Sequence, residues 1–272
     1  MAVSIIDRLS TNFTDATLPK LYRDIVLNPG SMYLFDFLSS YSNPNADGNL
    51  APGATFKNMV DGAADAVLIG SSATIVNLPG RAGISMPGVG GGAPTTSIEL
   101  GGAGAFSLHA SNHDFLEFAW IKTPSAGFVT GYPQILVNGV FGNEGNDQIS
   151  ITTHSDGKTP RISIANAAGV ANTLSGSSGQ GLGAPTQVGM ARIGSALRLY
   201  INGALVSSGS GPATLYDTSA QKTKLGAGYK GTVYRVGKED LTVSAAASGL
   251  SLVAQADAVM AADYATNAPR FT

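Results

Sequence analysis

The sequence predicts an all-β protein, and three observations carry that prediction. The 272 residues include 35 glycines and 13 prolines, which are unfavourable inside helices and frequent in turns. Apolar residues alternate with polar ones over at least ten short segments, the period of a half-buried strand. Asn202-Gly203 separates two such segments and predicts a type I′ hairpin, because both residues tolerate positive φ. This many short strands requires two packed sheets or a barrel.

The first 30 residues differ from the rest and predict a short helical arm. Apolar residues recur there at helical spacing after a possible Thr17 cap, and Asn28-Pro29-Gly30 ends the pattern. The arm either packs on its own domain or docks onto a partner subunit. We therefore divide the chain into an arm at 1–30 and a sandwich at 31–272. The helical positions are Leu18, Leu21, Tyr22, Ile25 and Val26.

The strands follow from residue 32 onward. The segment 115–122 is the most apolar, and alternation places Leu116, Phe118 and the single tryptophan, Trp120, on one face. Residues 252–264 show helical spacing and predict one short C-terminal helix. Turns are expected at Asn138-Gly139 and Asp156-Gly157. The predicted strands are 32–37, 74–78, 96–100, 105–109, 115–122, 134–137, 148–152, 161–164, two or three within 186–207, and 231–236.

Composition excludes several function classes. Charged residues make up 12% of the chain and the net charge is −2, with no basic stripe, so we expect no nucleic-acid partner. Cysteine is absent, which excludes disulfides and thiolate chemistry. The long uncharged windows 124–143 and 162–191 are broken by Gly and Pro, so no membrane helix is predicted. The N-terminus lacks the pattern of a signal peptide, which predicts synthesis and retention in the cytosol.

Several segments, taken in order, resemble LamG-like, concanavalin A-type jelly rolls. The resemblance covers residues 31–266 and implies an antiparallel two-sheet sandwich, with the Trp120-Ile121-Lys122 strand in its core and the Asn202-Gly203 hairpin as an ordinary sheet element. Its segments are 32–37, 115–122, 197–208, 224–228, 231–236, 239–242 and 262–264.

The chain also resembles, in overall style, bacteriophage virion proteins that carry this fold. The features are the Gly/Ala/Ser-rich sandwich, the lack of cysteine and of a signal peptide, and the extra arm. The leading hypothesis is therefore a non-enzymatic virion component, for capsid decoration or in a tail or baseplate. It would bind other virion proteins through residues 1–30 and sandwich loops, as a homo-oligomer within an assembly.

No residue pattern demands catalysis. Retaining glucanases of this architecture resemble one another in a Glu-x-Asp-x-Glu strand, which holds two carboxylates about 5–5.5 Å apart. Here each glutamate lacks a carboxylate two residues away, and no Gly-x-Ser-x-Gly elbow occurs. We expect no enzyme, no catalytic residues and no cofactor, with a glycoside hydrolase as the least favoured function. The glutamates are Glu99, Glu117, Glu144 and Glu239.

The candidate ligand-binding residues are equally typical of ordinary structural roles. His109 and His113 would share a metal only on a helix, and with His154 they are expected to be surface histidines. The loop 142–147 carries oxygen ligands that suit calcium but are equally typical of turns, so no metal is predicted. The loop 87–94 lacks the helix of a phosphate-binding loop. It is expected to be flexible.

The alternative function is a carbohydrate-binding or host-adhesion module. Its glycans would contact a concave sheet, or the loops at 87–94 and 142–147, with exposed tyrosines stacking on the sugars. Trp120 is expected in the core and not in a sugar platform. The candidate tyrosines are Tyr22, Tyr33, Tyr41, Tyr132 and Tyr229.

Overall fold

The computed structural model describes residues 24–70, 74–88, 96–140, 148–226 and 228–271. Within them, 17 strands form two antiparallel sheets, and two helices follow the last strand. The strands are β1 (Ser31–Asp36), β2 (Gly48–Asn49), β3 (Thr55–Phe56), β4 (Ala66–Ile69), β5 (Val76–Asn77), β6 (Ile84–Pro87), β7 (Ser97–Leu100), β8 (Phe115–Lys122), β9 (Gln134–Gly139), β10 (Gln148–Thr153), β11 (Pro160–Ala165), β12 (Ala171–Ser175), β13 (Thr186–Ile193), β14 (Ala196–Ile201), β15 (Ala204–Ser210), β16 (Thr223–Gly226) and β17 (Lys230–Asp240); the helices are α1 (Leu241–Ser248) and α2 (Leu252–Asn267).

The two sheets confirm the predicted sandwich. Sheet A has the order β15-β14-β13-β8-β17-β6-β5-β2, with β1 also paired to β17. Sheet B has the order β12-β11-β10-β9-β16-β7-β4-β3. The long strand β17 lies at the centre of sheet A, where it pairs with β8 on one side and with β1 and β6 on the other.

Sheet A separates two apolar layers. Its inner face packs on sheet B through side chains such as Phe35, Ile121 and Val236, while its outer face packs on α2 through Trp120 and Tyr200. Trp120 is buried as predicted, with 1% of its surface exposed. It lies beneath α2 on the outer face, however, and not between the sheets. The molecule therefore has three layers, sheet B, sheet A and the helices.

The hairpin at Asn202-Gly203 is confirmed. Asn202 has φ 51° and Gly203 has φ 80°, both in the left-handed region that a type I′ turn requires. The side chain of Gln187 in β13 accepts a hydrogen bond from the Gly203 amide at 2.7 Å. A Cβ at Gly203 would approach the Tyr264 Cβ to 2.9 Å, so the turn also sets how closely α2 packs.

Three local predictions were wrong. Residues 105–109 form turns and not a strand, because their alternating apolar side chains Phe106 and Leu108 anchor a loop in the core. The predicted turn at Asn138-Gly139 lies inside β9, where Gly139 pairs with Gln148. A second C-terminal helix, α1, was missed, although Asp240 caps its start and Gly249 ends it at φ 72°.

The start of the chain falls largely outside the described residues, including Leu18, Leu21 and Tyr22. Ile25 and Val26, which the arm prediction placed in a helix, lie in a turn. Val26 and Leu27 are buried against the outer apolar layer. In the described part of the chain no single helix is long and apolar enough to cross a membrane; α1 taken with 252–270 passes by length and composition, although the pair is bent by 93°.

Candidate functional site

A polar cleft opens on the surface where the loop before β2 meets the turn after β5. It has a volume of about 350 Å³, within the range of small-ligand sites. We call it the Arg81 cleft. Its lining residues are Asn45, Ala46, Asp47, Gly80 and Arg81.

A buried pair of asparagines holds one wall of the Arg81 cleft. The Asn77 Nδ2 donates to the backbone oxygens of Asn45 and Ala46, each at 3.0 Å, and the Asn77 Oδ1 accepts from the Asn43 Nδ2 at 2.8 Å. The Asn43 Oδ1 in turn accepts from the Asn45 Nδ2 at 3.1 Å. Asn43 and Asn77 are fully buried. Such a hydrogen-bonded network fixes the loop conformation before any ligand arrives.

The opposite wall is a tight turn with unusual backbone geometry. Gly80 has φ 69° and Arg81 has φ 59°, and a left-handed conformation is uncommon for a bulky residue. The Asp47 Oδ2 accepts a hydrogen bond from the Gly80 amide at 2.9 Å, which ties the two walls together. Strained residues of this kind cluster at binding sites. The turn presents Arg81, whose guanidinium pairs with no carboxylate of the described residues.

The chemistry of the Arg81 cleft suits binding. The Arg81 guanidinium supplies several N–H donors in a fixed plane, and the Asp47 carboxylate and Asn45 amide supply acceptor oxygens. This combination matches a hydroxyl-rich ligand, whose groups donate and accept in turn. The lining contains neither a nucleophile with an adjacent base nor a pair of carboxylates, so it offers no evident reaction.

A second surface cluster surrounds Tyr132, one of the predicted sugar-stacking residues. Tyr132 is partly exposed and has φ 56°. The Arg161 guanidinium lies 4.8 Å from its ring centroid, and the His154 ring meets it edge-on at 5.2 Å. Arg161 and His154 thus already contact the ring from two directions, and less of its surface is left for a sugar to stack on. The Arg81 cleft is therefore the stronger candidate for a binding site.

The remaining tyrosines divide by exposure. Tyr33 and Tyr229 are each 1% exposed, so burial in the core overturns their candidacy as sugar platforms. Tyr41 is 43% exposed, and Tyr22 lies outside the described residues.

The glutamates named in the sequence analysis lie in different surroundings. Glu99, on sheet B, pairs with Lys222 at 2.5 Å and with Lys224 at 3.5 Å. Glu117 lies between the sheets with no exposed surface. Glu239 is buried beside Gln255, which donates to it at 2.8 Å, and burial raises the pKa of its carboxyl. Glu144 falls outside the described residues.

The histidines take part in loop packing. His109 lies 3.0 Å from the Leu215 backbone oxygen, and His113 lies 2.7 Å from the Asp240 carboxylate. His154 contacts Ser155. The described residues hold no group of three or more potential metal ligands. The calcium candidate 142–147, and most of the loop 87–94, lie outside the described residues.

The outer face of sheet A carries a buried ion network that no sequence pattern indicated. Arg235 has no exposed surface and donates to Asp263 at 2.8 Å, to Asp24 at 2.7 and 2.8 Å, and to Asp36 at 3.1 Å. These charges raise the pKa of the guanidinium, although burial alone would lower it. Asp263 also accepts from the Trp120 Nε1 at 2.5 Å. The network fastens α2 and residue 24 to sheet A.

The sequence indicated the turns that form the Arg81 cleft, but it did not indicate that these turns contact one another. Pro44, Asp47-Gly48 and Pro79-Gly80 all predict turns, and the cleft is built from these turns. Their contact depends on Asn77 reaching across 31 and 32 positions to the oxygens of Ala46 and Asn45, and a turn pattern carries no information about that distance.

No protein-family model and no curated protein matches the chain. Among solved structures, domain 4 of AbnA, a GH43 extracellular arabinanase from Geobacillus stearothermophilus in complex with arabinotriose, is similar with a TM-score of 0.53 and 14% identity, over 84% of this chain and 97% of that one. The receptor-binding domain of botulinum neurotoxin C/D mosaic serotype gives 0.56 and 12%, over 86% of this chain and 51% of that one.

Trypanosoma rangeli sialidase is a third structural neighbour, with a TM-score of 0.53 and 15% identity. The match covers 88% of this chain but only 34% of the sialidase, so the chain spans about a third of that protein. At such identities these likenesses establish the fold alone. The chain is a two-sheet antiparallel β-sandwich of the jelly-roll type.

Proposed function

We propose that this chain is a non-enzymatic recognition module that binds a glycan in the Arg81 cleft. The observation that carries the proposal is the cleft itself, an open polar site on a hydrogen-bonded asparagine framework, with an arginine that no described carboxylate neutralises. A ligand with several hydroxyl groups would replace the water at these groups without movement of the backbone. Preorganisation of this kind lowers the cost of binding.

The structural neighbours support a glycan as the ligand by analogy. AbnA domain 4 is described in complex with arabinotriose, and the toxin neighbour is a receptor-binding domain. Both neighbours are binding domains that include a sandwich of this kind, which supports recognition as the role proposed here. Proteins that share this fold differ in function because their surface residues differ. The proposed ligand therefore depends on the residues of the Arg81 cleft.

The absence of an enzyme activity is part of the proposal. Most glycoside hydrolases use two carboxyl groups that flank one accessible bond. Glu117 and Glu239 are buried, and Glu99 is held by two lysines. None of these glutamates lines the Arg81 cleft, where Asp47 is the single acidic residue.

The test is calorimetric titration and glycan-array binding of the full chain, starting with arabino-oligosaccharides and sialylated glycans. Arg81→Asn keeps a residue that tolerates positive φ and removes the guanidinium. We expect it to weaken binding at least about tenfold, since a hydrogen bond from a charged group contributes about 1.5–3 kcal/mol. Lys230→Gln is the charge-matched control at an exposed position and should bind like the wild type.

The outcomes separate the two surface sites. Equal binding by Arg81→Asn and wild type would contradict the proposed site, and loss of binding in Tyr132→Ala alone would assign the glycan to the Tyr132 cluster. No binding to any array glycan would contradict the proposed function.

A structural role in a virion is a second candidate, and one observation favours it. The Asp24 carboxylate is fixed by two hydrogen bonds from buried Arg235, which ties the start of the described chain to the sandwich. A tie of this kind is compatible with attachment to an assembly through the N-terminal region. Mass spectrometry of purified particles from the native source should then find the chain in fixed stoichiometry with the major particle proteins; its absence from them would contradict this role.

A further inference from the structure

Three polar side chains form a row on the inner face of sheet A. Tyr33 in β1 is paired with Lys238 in β17, and Lys238 is paired with Glu117 in β8. All three point between the sheets, and none is more than 2% exposed. The Tyr33 hydroxyl donates to the Glu117 Oε1 at 2.5 Å. The Lys238 Nζ lies 3.8 Å from the same Oε1.

The Lys238–Glu117 ion pair in this row lacks some of the hydrogen bonds that a buried ion pair needs. The separation of 3.8 Å exceeds a hydrogen bond, and the Lys238 Nζ donates instead to the Phe106 backbone oxygen at 3.0 Å. The Glu117 Oε2 is buried with no hydrogen-bond partner. A buried charge pair is favourable only when further hydrogen bonds satisfy its remaining atoms. An unsatisfied buried oxygen in an otherwise well-paired core therefore requires an explanation.

The apolar surroundings of Lys238 favour its neutral amine. Lys238 lies 5.0 Å from the centroid of the Phe115 ring, and Phe106 packs edge-on against Tyr33 at 4.8 Å. Burial lowers the pKa of the Lys238 amine, which favours its nucleophilic form. Burial and the neighbouring Glu117 raise the pKa of the Tyr33 hydroxyl well above its usual value, so this group stays a proton donor toward Oε1.

We propose that Lys238 and Glu117 condense to an intramolecular amide that links β17 to β8. A proton passes from the Lys238 ammonium to Glu117, giving a neutral amine and a neutral carboxylic acid. The Nζ lone pair then attacks Cδ, while the Tyr33 hydroxyl stabilises the negative charge that develops on Oε1.

The products balance the reactants. The new N–C bond forms as the bond from Cδ to Oε2 breaks, and Oε2 leaves as water with one proton from the acid and one from the amine. Oε1 becomes the amide oxygen and keeps its hydrogen bond from Tyr33. The step thus removes both buried charges and also the oxygen that lacks a partner. It requires no oxidant or co-reactant. The Lys238 Nζ, which lies 3.8 Å from Oε1, must approach Cδ to about 3–3.5 Å for the attack.

Intact mass spectrometry of the denatured full-length chain tests the proposal. We expect a mass lower than that of the sequence by one water, and a protease digest in which the peptide containing Glu117 is joined to the peptide containing Lys238. A wild-type chain at the full sequence mass, with both peptides found separately, would overturn the proposal.

Control variants identify where the water is lost. Dehydration at Asp47-Gly48 or Asp156-Gly157 would give the same mass change, but it would persist in Lys238→Met, where we expect the full mass of the variant sequence. Because that variant leaves a buried carboxylate without a cation and can fail to fold, Glu117→Gln is the second variant. Its amide would condense with loss of ammonia and give a product of the same mass as the mature wild type; a Glu117→Gln chain at its own full sequence mass would count against the proposal.

Discussion

Two arginines associated with sheet A contrast in nearly every physical respect. Arg235 lies in a central strand, fully buried, and donates to three carboxylates. Arg81 lies in a tight turn, partly exposed, with φ 59° and no carboxylate partner in the described chain. The first arginine has its hydrogen-bonding groups committed to the fold, whereas the second keeps them available to a ligand.

This difference suggests that Arg235 stabilises the fold, whereas Arg81 serves the proposed binding site. A buried guanidinium stays in place only if its surroundings neutralise it, so the Asp24, Asp36 and Asp263 carboxylates explain Arg235 completely. Nothing in the packing explains a strained, unpaired arginine at the edge of a polar cleft. Recognition of a ligand does explain it, and the contrast predicts that stability and binding depend on different arginines.

The largest expected effect on stability comes from Arg235→Met. It leaves Asp24 and Asp263 without their cation and Asp36 with Arg270 alone, and it should lower the free energy of unfolding by about 5 kcal/mol, the upper end for breaking a buried ion pair. Urea denaturation measures this loss. Arg270→Met is the matched control, because Arg270 contacts the same Asp36 from a side chain that is 37% exposed, and should cost about 1 kcal/mol. Equal costs would contradict the central role of Arg235.

The inner row provides the next largest effect. In the double variant Lys238→Met with Glu117→Leu, the proposed amide cannot form, and the loop that it closes between residues 117 and 238 is released. Loop-closure entropy for a loop of this length predicts a loss of about 4.9 kcal/mol. An ordinary buried ion pair replaced by apolar side chains is instead neutral or stabilising. Glu117→Leu also leaves the Tyr33 hydroxyl without its acceptor, so both chains carry Tyr33→Phe, and thermal or urea unfolding in that background distinguishes the two.

Asp24→Asn should have an intermediate, pH-dependent effect. Burial alone would raise the pKa of Asp24, but the hydrogen bond and charge of Arg235 outweigh it and lower the pKa below 3.8. A lowered pKa in the folded state stabilises the protein above the unfolded value, and the gain is lost as the pH falls through the folded value. The variant should be less stable than wild type by about 2 kcal/mol at neutral pH, and the gap should close below about pH 4. A gap that grows in acid would contradict the assignment.

Arg81→Asn should have the smallest effect on stability, within about 0.5 kcal/mol. The side chain makes no ion pair with described residues, and asparagine tolerates the backbone conformation. The unfolding midpoint in urea checks this. A large loss would place Arg81 with Arg235 among the structural arginines and remove the contrast between them.

The fold was predictable where local chemistry determines the structure. The strand 115–122 and the turn at Asn202-Gly203 follow from alternation and from the tolerance of Asn-Gly for positive φ. Residues 105–109 show where this reasoning fails, since two apolar side chains can anchor a loop with the same alternation as a strand. The helix α1 had a capping aspartate and a terminal glycine in the sequence, but no apolar stripe to indicate it.

The sites depend on contacts between residues that are distant in the chain, so no local sequence pattern indicated them. Arg235 reads as an ordinary polar residue in the strand 231–236 until Asp24, 211 positions earlier, is placed beside it. Glu117 and Lys238 likewise become neighbours only through the pairing of β8 with β17. The virion location, the oligomeric state and the glycan partner stay predictions, because they concern other molecules.

The most direct test of the proposed function is calorimetric titration of a glycan selected on the array against wild type, Arg81→Asn and Lys230→Gln, with folding of each confirmed by its unfolding curve. We predict that wild type and Lys230→Gln bind with the same affinity, while Arg81→Asn, equally stable, binds at least about tenfold more weakly. Binding by a stably folded Arg81→Asn with unchanged affinity would contradict the assignment of the Arg81 cleft as the recognition site.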